Sequence, residues 1–202
     1  LLAAGDPAAI IGIKASFFRC GMRRAWLMVV VLFAAAGSAR AAEADLAAQA
    51  TVREGVSLRL PTGWTADPAE HAGAAPRTVL VARAPGRDKD DTGEYQTVMA
   101  VSIDAGSKID AAAQQARLAD DRNFSNYKSV EGPKATTIGG NEGVMFGGTF
   151  TLGPLKLRAR QYMFAKNNRI YVITFAALES RWEKYRAAVE ASVGSVSVVE
   201  EK

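Results

Sequence analysis

The sequence predicts an α+β fold in which an antiparallel β-sheet of six or seven strands carries two packed helices. Three observations lead there. Short stretches of alternating apolar and polar residues recur along the chain and read as strands. Several follow one another across tight turns, which joins neighbours antiparallel. Two further stretches repeat apolar residues at helical spacing, and an amphipathic helix needs a face against which to bury its stripe.

The first strand is "VSLRLPTGW" (56–64), where Val56, Leu58 and Leu60 alternate with Ser57 and Arg59 before Pro61 and Gly63 end it. "TVLVAR" (78–83) and "YQTVMAVSI" (95–103) form the second and third strands, separated by the charged loop "APGRDKDDTGE" (84–94). A helix is expected over 108–120, capped by Ser107 with Asp110 three residues on. Its stripe is Ile109, Ala112, Ala113, Ala116 and Ala119, and Asp120-Asp121, unfavourable at a helix C-terminus, marks its end.

"NYKSVEGPKATTIGG" (126–140) reads as a strand broken at Gly132-Pro133 and followed by a Gly-Gly turn. "EGVMFGGTFTL" (142–152) sets Val144, Phe146, Phe150 and Leu152 on one face, with Gly147-Gly148 permitting a bulge or a close approach. "LKLRARQYMFA" (155–165) and "RIYVITFAA" (169–177) flank Lys166-Asn167-Asn168. Asparagine tolerates the left-handed backbone that a tight hairpin requires, so these two strands pair. "ESRWEKYRAAVEASV" (179–193) brings Trp182, Tyr185, Val189 and Val193 onto one helical face, and "SVSVV" (195–199) closes as a short last strand.

Ahead of these elements stands "MRRAWLMVVVLFAAAGSARA" (22–41). Its uncharged run is shorter than the about 20 residues a membrane-spanning helix needs. Arg23-Arg24 before it and Ala39-Arg40-Ala41 after it complete a secretory signal peptide, read as an ordinary Sec signal that is cleaved. Residues 1–21 read as an over-extension of the gene start with Met22 as initiator, 42–52 as a flexible lead-in, and 53–199 as a single domain. The sole cysteine, Cys20 in "FFRCG", does not sit in a lipobox. The expectation is therefore a periplasmic or secreted protein with no lipid anchor and no stable membrane span after cleavage.

Charge follows from that division. Residues 1–41 hold five basic residues and one acidic; removing them from totals of 25 and 21 leaves 20 of each sign. The neutral remainder gives no compositional support for nucleic-acid binding. It has no cysteine and one histidine, His71, which excludes disulfides, thiolate metal sites and a cysteine nucleophile.

Candidate chemistry is sparse. His71, in "PAEHAGAAPR", has no G-x-S-x-G partner pattern and reads as a loop histidine. "DKDDTGE" (88–94) starts like a calcium loop, with Asp88, Asp90, Thr92 and Gly93 at positions 1, 3, 5 and 6. The bidentate Glu of position 12 is replaced by Met99, and a solvated hairpin tip is the plainer reading. Lys156, Arg158 and Arg160 alternate onto one strand face continued by Tyr162 and Phe164. That face is a candidate partner or anionic-ligand surface with aromatic anchors; alternatively the Arg stems cover the sheet while their heads reach water. Trp64, Trp182 and Tyr185 read as core. Asp120-Asp121 and Glu200-Glu201 are adjacent and point apart, so neither makes an acid–base couple.

The second half resembles the PsbP/DcrB-type superfamily. The resemblance rests on Gly139-Gly140, Arg158 and Arg160, the run Arg169-Ile170-Tyr171-Val172-Ile173-Thr174-Phe175, and Ser195-Val196 after the helix; "VSLRLPTGW" resembles the family's first strand. It covers about residues 53–199. The resemblance implies an α/β/α-like sandwich and exported or lumenal accessory and binding proteins without a common catalytic site. The expected function is accordingly a non-enzymatic accessory or binding protein acting through protein–protein contact in the cell envelope. It would use no cofactor, no metal and no nucleic acid. The alternative is a carrier of a small or lipid-like ligand held between helix and sheet.

Overall fold

A computed structural model describes residues 45–53, 55–68, 77–121 and 124–198. In chain order these form β1 (Leu46–Arg53), β2 (Val56–Pro61), β3 (Thr65–Pro68), β4 (Thr78–Arg83), β5 (Asp88–Asp90), β6 (Gly93–Tyr95) and β7 (Val98–Ala105). There follow α1 (Ala111–Asp120), β8 (Ser125–Ile138), β9 (Asn141–Leu152), β10 (Leu155–Lys166), β11 (Arg169–Leu178), α2 (Trp182–Gly194) and β12 (Ser197–Val198). Seven strands make one antiparallel sheet in the order β3-β4-β7-β11-β10-β9-β8. A small sheet β1-β2-β12 and the hairpin β5-β6 complete the set.

Alternation along each strand divides the core between the two faces of the large sheet. On one face Met99, Tyr162, Phe164, Tyr171, Ile173 and Phe175 meet Trp182, Tyr185, Val189 and Val193 of α2 and Val56, Leu58 and Leu60 of β2. On the other, Phe146, Phe150, Leu157, Met163 and Val172 meet Ala111 and Leu118 of α1. The sheet is thus covered on both sides, which is the predicted α+β arrangement. Fully burying one such large side chain contributes roughly 1.5–3 kcal/mol, so these two layers dominate the stability.

The β10–β11 hairpin forms as its asparagines require: Lys166 pairs with Arg169 across two residues at φ +52° and +55°, Asn167 and Asn168. The helix α2 buries the four residues expected of it. Other elements differ from expectation. Residues 46–53, read within the loose lead-in, pair with β2, because cross-strand pairing overrides the weak local preference of an Ala-rich stretch. The first helix is capped by Asp110, whose carboxylate accepts from the Ala113 amide, and not by Ser107. Its buried positions are Ala111, Gln114 and Leu118; Ala112, Ala116 and Ala119 are exposed, since alanine gains little from burial and the larger Leu118 sets the face.

The strand expected to break at Gly132-Pro133 runs unbroken as β8. It lies at the sheet edge, where a proline that donates no hydrogen bond is tolerated. The charged segment 84–94 contains the β5–β6 hairpin. The expected signal peptide (22–41), the segment before it, His71 and Glu200-Glu201 lie outside the described residues.

Gly139, in the turn after β8, sits at φ +53°, and a Cβ there would lie 1.7 Å from the Val196 carbonyl oxygen. Gly139→Ala is expected to cost about 2–3 kcal/mol through overpacking and backbone strain, read as a lower urea midpoint with an unchanged slope.

Candidate functional site

The largest group of interacting charges is built by register. Glu131 of β8, Gly147 of β9 and Arg160 of β10 occupy one row across three strands. Strands lie about 4.8 Å apart, and the glycine between leaves its neighbours free to reach each other over it. A Cβ at Gly147 would come within 2.8 Å of the Ala159 carbonyl oxygen, so a larger residue is excluded on packing as well.

Glu131 reaches this face because β8 carries extra residues. Lys128 pairs with Thr149 and Ser129 with Gly148, yet Glu131, two further on, pairs with Gly147, one step along β9. Without that bulge Glu131 would point to the opposite face from Lys128. The extra residue, Val130, is left half exposed.

The Arg160 guanidinium, 8% exposed, is enclosed by acceptors. Its Nε donates to Glu131 Oε2 at 2.8 Å and its Nη2 to Oε1 at 2.7 Å, a two-point fork. Its Nη1 donates to Glu190 Oε1 of α2 at 2.7 Å and to the Tyr162 hydroxyl at 3.2 Å. Arg158 Nη2 donates to the same Glu131. Both guanidinium carbons stand over the Trp182 ring, at 4.5 Å for Arg158 and 5.3 Å for Arg160, which adds a cation–π attraction.

Burial acts against the charged form of Glu131, but hydrogen bonds and charge from Arg160 and then Arg158 outweigh it and hold the carboxyl below its ordinary range. Burial likewise opposes the charge on Arg160. Its bonds to Glu131, Tyr162 and Glu190 prevail and raise its affinity for the proton. A carboxylate committed in this way holds charge and does not shuttle it.

The alternation from Lys156 to Phe164 is thus present, but the residues meet different fates. Tyr162 and Phe164 are core, Arg160 is buried, Arg158 is partly covered, and Lys156 is exposed. Both Arg heads reach carboxylates, and Arg158 alone keeps part of its side chain exposed. The interface between α2 and the sheet is filled by side chains at or below 1% exposure, among them Trp182, Phe164, Tyr171 and Phe175. Trp64 packs edge-on to Tyr185 with centroids 6.0 Å apart.

The β5–β6 hairpin keeps Lys89, Asp91 and Glu94 exposed, but two of its acids are tied to the body of the protein. Asp88 accepts from Lys184 Nζ at 2.7 Å and from the Tyr185 hydroxyl at 2.5 Å. Asp90 accepts from Ser180 Oγ, Thr92 Oγ1 and the Thr92 amide. Met99, at the twelfth calcium-loop position, is fully buried in β7. Hydrogen bonds from Ser180 and then Thr92 hold the Asp90 carboxyl down at about 2. For Asp88, burial works the other way, and Lys184 and Tyr185 prevail to lower it. Among the described residues no three His, Cys, Asp or Glu side chains converge as metal ligands. No helix among them is long and apolar enough to cross a membrane.

A seven-stranded antiparallel sheet with one helix on each face is the PsbP-like α+β fold. Within it, the chain belongs to the family described as "Probable lipoprotein LpqN", whose model matches residues 38–199. Two solved structures share the fold. The cyanobacterial PsbP (CyanoP) of Synechocystis is similar at a TM-score of 0.55 and 15% identity, over 81% of this chain and 98% of that one. LpqN of Mycobacterium tuberculosis, described as involved in cell envelope biogenesis, is similar at 0.50 and 16%, over 72% and 83%. No curated protein matches the chain.

The family corrects one expectation. A periplasmic or secreted product with a cleaved leader and no lipobox conflicts with membership in a family described as probable lipoproteins. That reading leaned on the basic flank, short apolar run and Ala39-Arg40-Ala41 exit, and on Cys20 standing outside a lipobox.

Two measurements check the charge network. Glu131→Ala leaves two guanidiniums without their shared acceptor and is expected to cost about 2–4 kcal/mol, with Arg160→Met in the same background costing less than it does alone. Carboxyls depressed in the folded protein stabilise it above their ordinary range, and that contribution disappears as pH falls through their folded values. Stability should therefore drop between about pH 5 and pH 2, and Asp90→Asn should flatten part of that drop in urea titrations at each pH.

Proposed function

We propose that this protein is a non-catalytic accessory factor of the cell envelope that works by binding another protein. The observation that carries this reading is the use made of its polar groups. Glu131, Glu190, Asp88 and Asp90 are all tied to partners that build the frame. Both faces of the sheet are packed with side chains. What such a body offers to another molecule is its outer surface.

Membership in a family described as probable lipoproteins supports an envelope setting. So does the shared fold with LpqN, the protein described as involved in cell envelope biogenesis. A protein held at a membrane and shaped as a rigid, filled sandwich is suited to positioning or assembling a neighbour. The exposed Lys156 and the half-covered Arg158 are the residues of the charged strand that remain within a partner's reach.

Cross-linking in intact envelopes is expected to give a discrete protein adduct of reproducible mass. The purified chain is expected to run at its apo mass by native mass spectrometry and to leave generic ester and peptide substrates unchanged. Turnover that survives repurification, or a co-purifying lipid in place of a protein adduct, would overturn the reading.

A further inference from the structure

Beyond Glu131 the α2-facing side of β8, β9 and β10 is left open by the described residues. Lys128, Thr149 and Arg158 lie in one row across the three strands, and Thr151 and Lys156 belong to the next. Directly paired residues share a face, so these groups point the same way as Arg160 and Glu131. Lys128 and Lys156 are exposed and Thr149 is half-buried. Lys134, paired with Met145, adds a third exposed cation on the same side of β8.

The lysines of this surface are unpaired among the described residues, although the acidic β5–β6 turn borders it at Lys156, whose amide donates to Thr92 Oγ1. Neither Lys128, Lys134 nor Lys156 makes an ion pair among the described residues. The carboxylate nearest in register, Glu131, is already shared between Arg158 and Arg160. Arg158 uses one Nη on it, while its Nε is buried with no partner among the described residues.

We propose that this open end of the sheet is a docking surface for an acidic segment of a partner protein, with Lys128, Lys156 and Arg158 as its cationic contacts and Thr149 between them. The proposal rests on the accessory-binding reading above and names the partner's chemistry. Glu131 demonstrates the recognition mode, since a carboxylate is held there by a fork and a neighbouring guanidinium. An anionic bilayer is the weaker fit. Membrane-surface binding draws on apolar side chains that enter the interface, and among the described residues Val130 is the single exposed large hydrophobic side chain. Trp182, under the Arg158 guanidinium, is a positioning residue and is not itself within reach.

The test uses a fluorescently labelled oligoglutamate peptide, an oligoglutamine control, and vesicles of mixed phosphatidylglycerol and phosphatidylcholine. The protein should bind oligoglutamate and not oligoglutamine, more weakly as salt rises because exposed charges are screened. Lys128→Glu with Lys156→Glu should weaken that binding by at least about tenfold, while Lys108→Glu, on an exposed loop away from this surface, should leave it within about twofold. Should the double reversal fail to fold, Lys128→Gln with Lys156→Gln replaces it, with the same direction of effect. Unchanged affinity in the double variant, an equal loss in Lys108→Glu, or lysine-dependent vesicle binding without peptide binding would each overturn the proposal. A protein adduct that persists in the double variant would reject this surface yet leave the accessory role intact. Peptide binding without any adduct would do the reverse.

Discussion

Arg160 carries a guanidinium that stays charged at any physiological pH into a position almost closed to water. Moving such an ion out of water costs several kcal/mol unless acceptors replace the lost hydration. Much of the local architecture follows from supplying them. An edge strand must run beside β9 with an extra residue so that a carboxylate lands on the correct face. The residue between must have no side chain. The covering helix must present a second acid about two turns beyond Trp182, which Glu190 does. Change any of these and the charge is stranded.

The same helix is held by polar contacts along its length. Near its start, Lys184 and Tyr185 hold Asp88 of the β5–β6 hairpin, and Arg181 donates to the Lys89 carbonyl. Near its end, Ser192 Oγ donates to the Arg59 carbonyl of β2 at 2.6 Å, and Ser195 Oγ accepts from the Arg59 amide. The apolar stripe supplies most of the energy, but apolar contact alone permits sliding. These directional bonds fix the register of α2 over the sheet, and with it the seat of Trp182 beneath the two arginines.

What was legible in the sequence is what depends on neighbours along the chain. The Asn167-Asn168 turn, the stripe of α2 and the alternation through β10 all declare themselves within a dozen residues. What was hidden depends on distant ones. Nothing near Arg160 announces Glu131, which is 29 positions away and reaches it through a register shift that no local pattern encodes. Pro133 suggests a break because its tolerance depends on the strand being at an edge, a property of the whole sheet. Asp88 and Asp90 look like free loop acids until α2, more than 85 residues later, folds against them. The alanine stripe of α1 misled for a different reason: alanine is compatible with either face, so a helix rich in it is oriented by its few larger residues.

The small sheet has one further consequence. Its β12 strand, at 197–198, pairs with β2 at 56–57, and the Ser57 and Ser197 hydroxyls bond across 140 positions of chain. That closure is made only of contacts distant in sequence, and bringing ends so far apart together costs chain entropy that delays it. The small sheet is therefore a clasp that shuts late over this half of the core, after the body of the molecule already holds its two ends near each other.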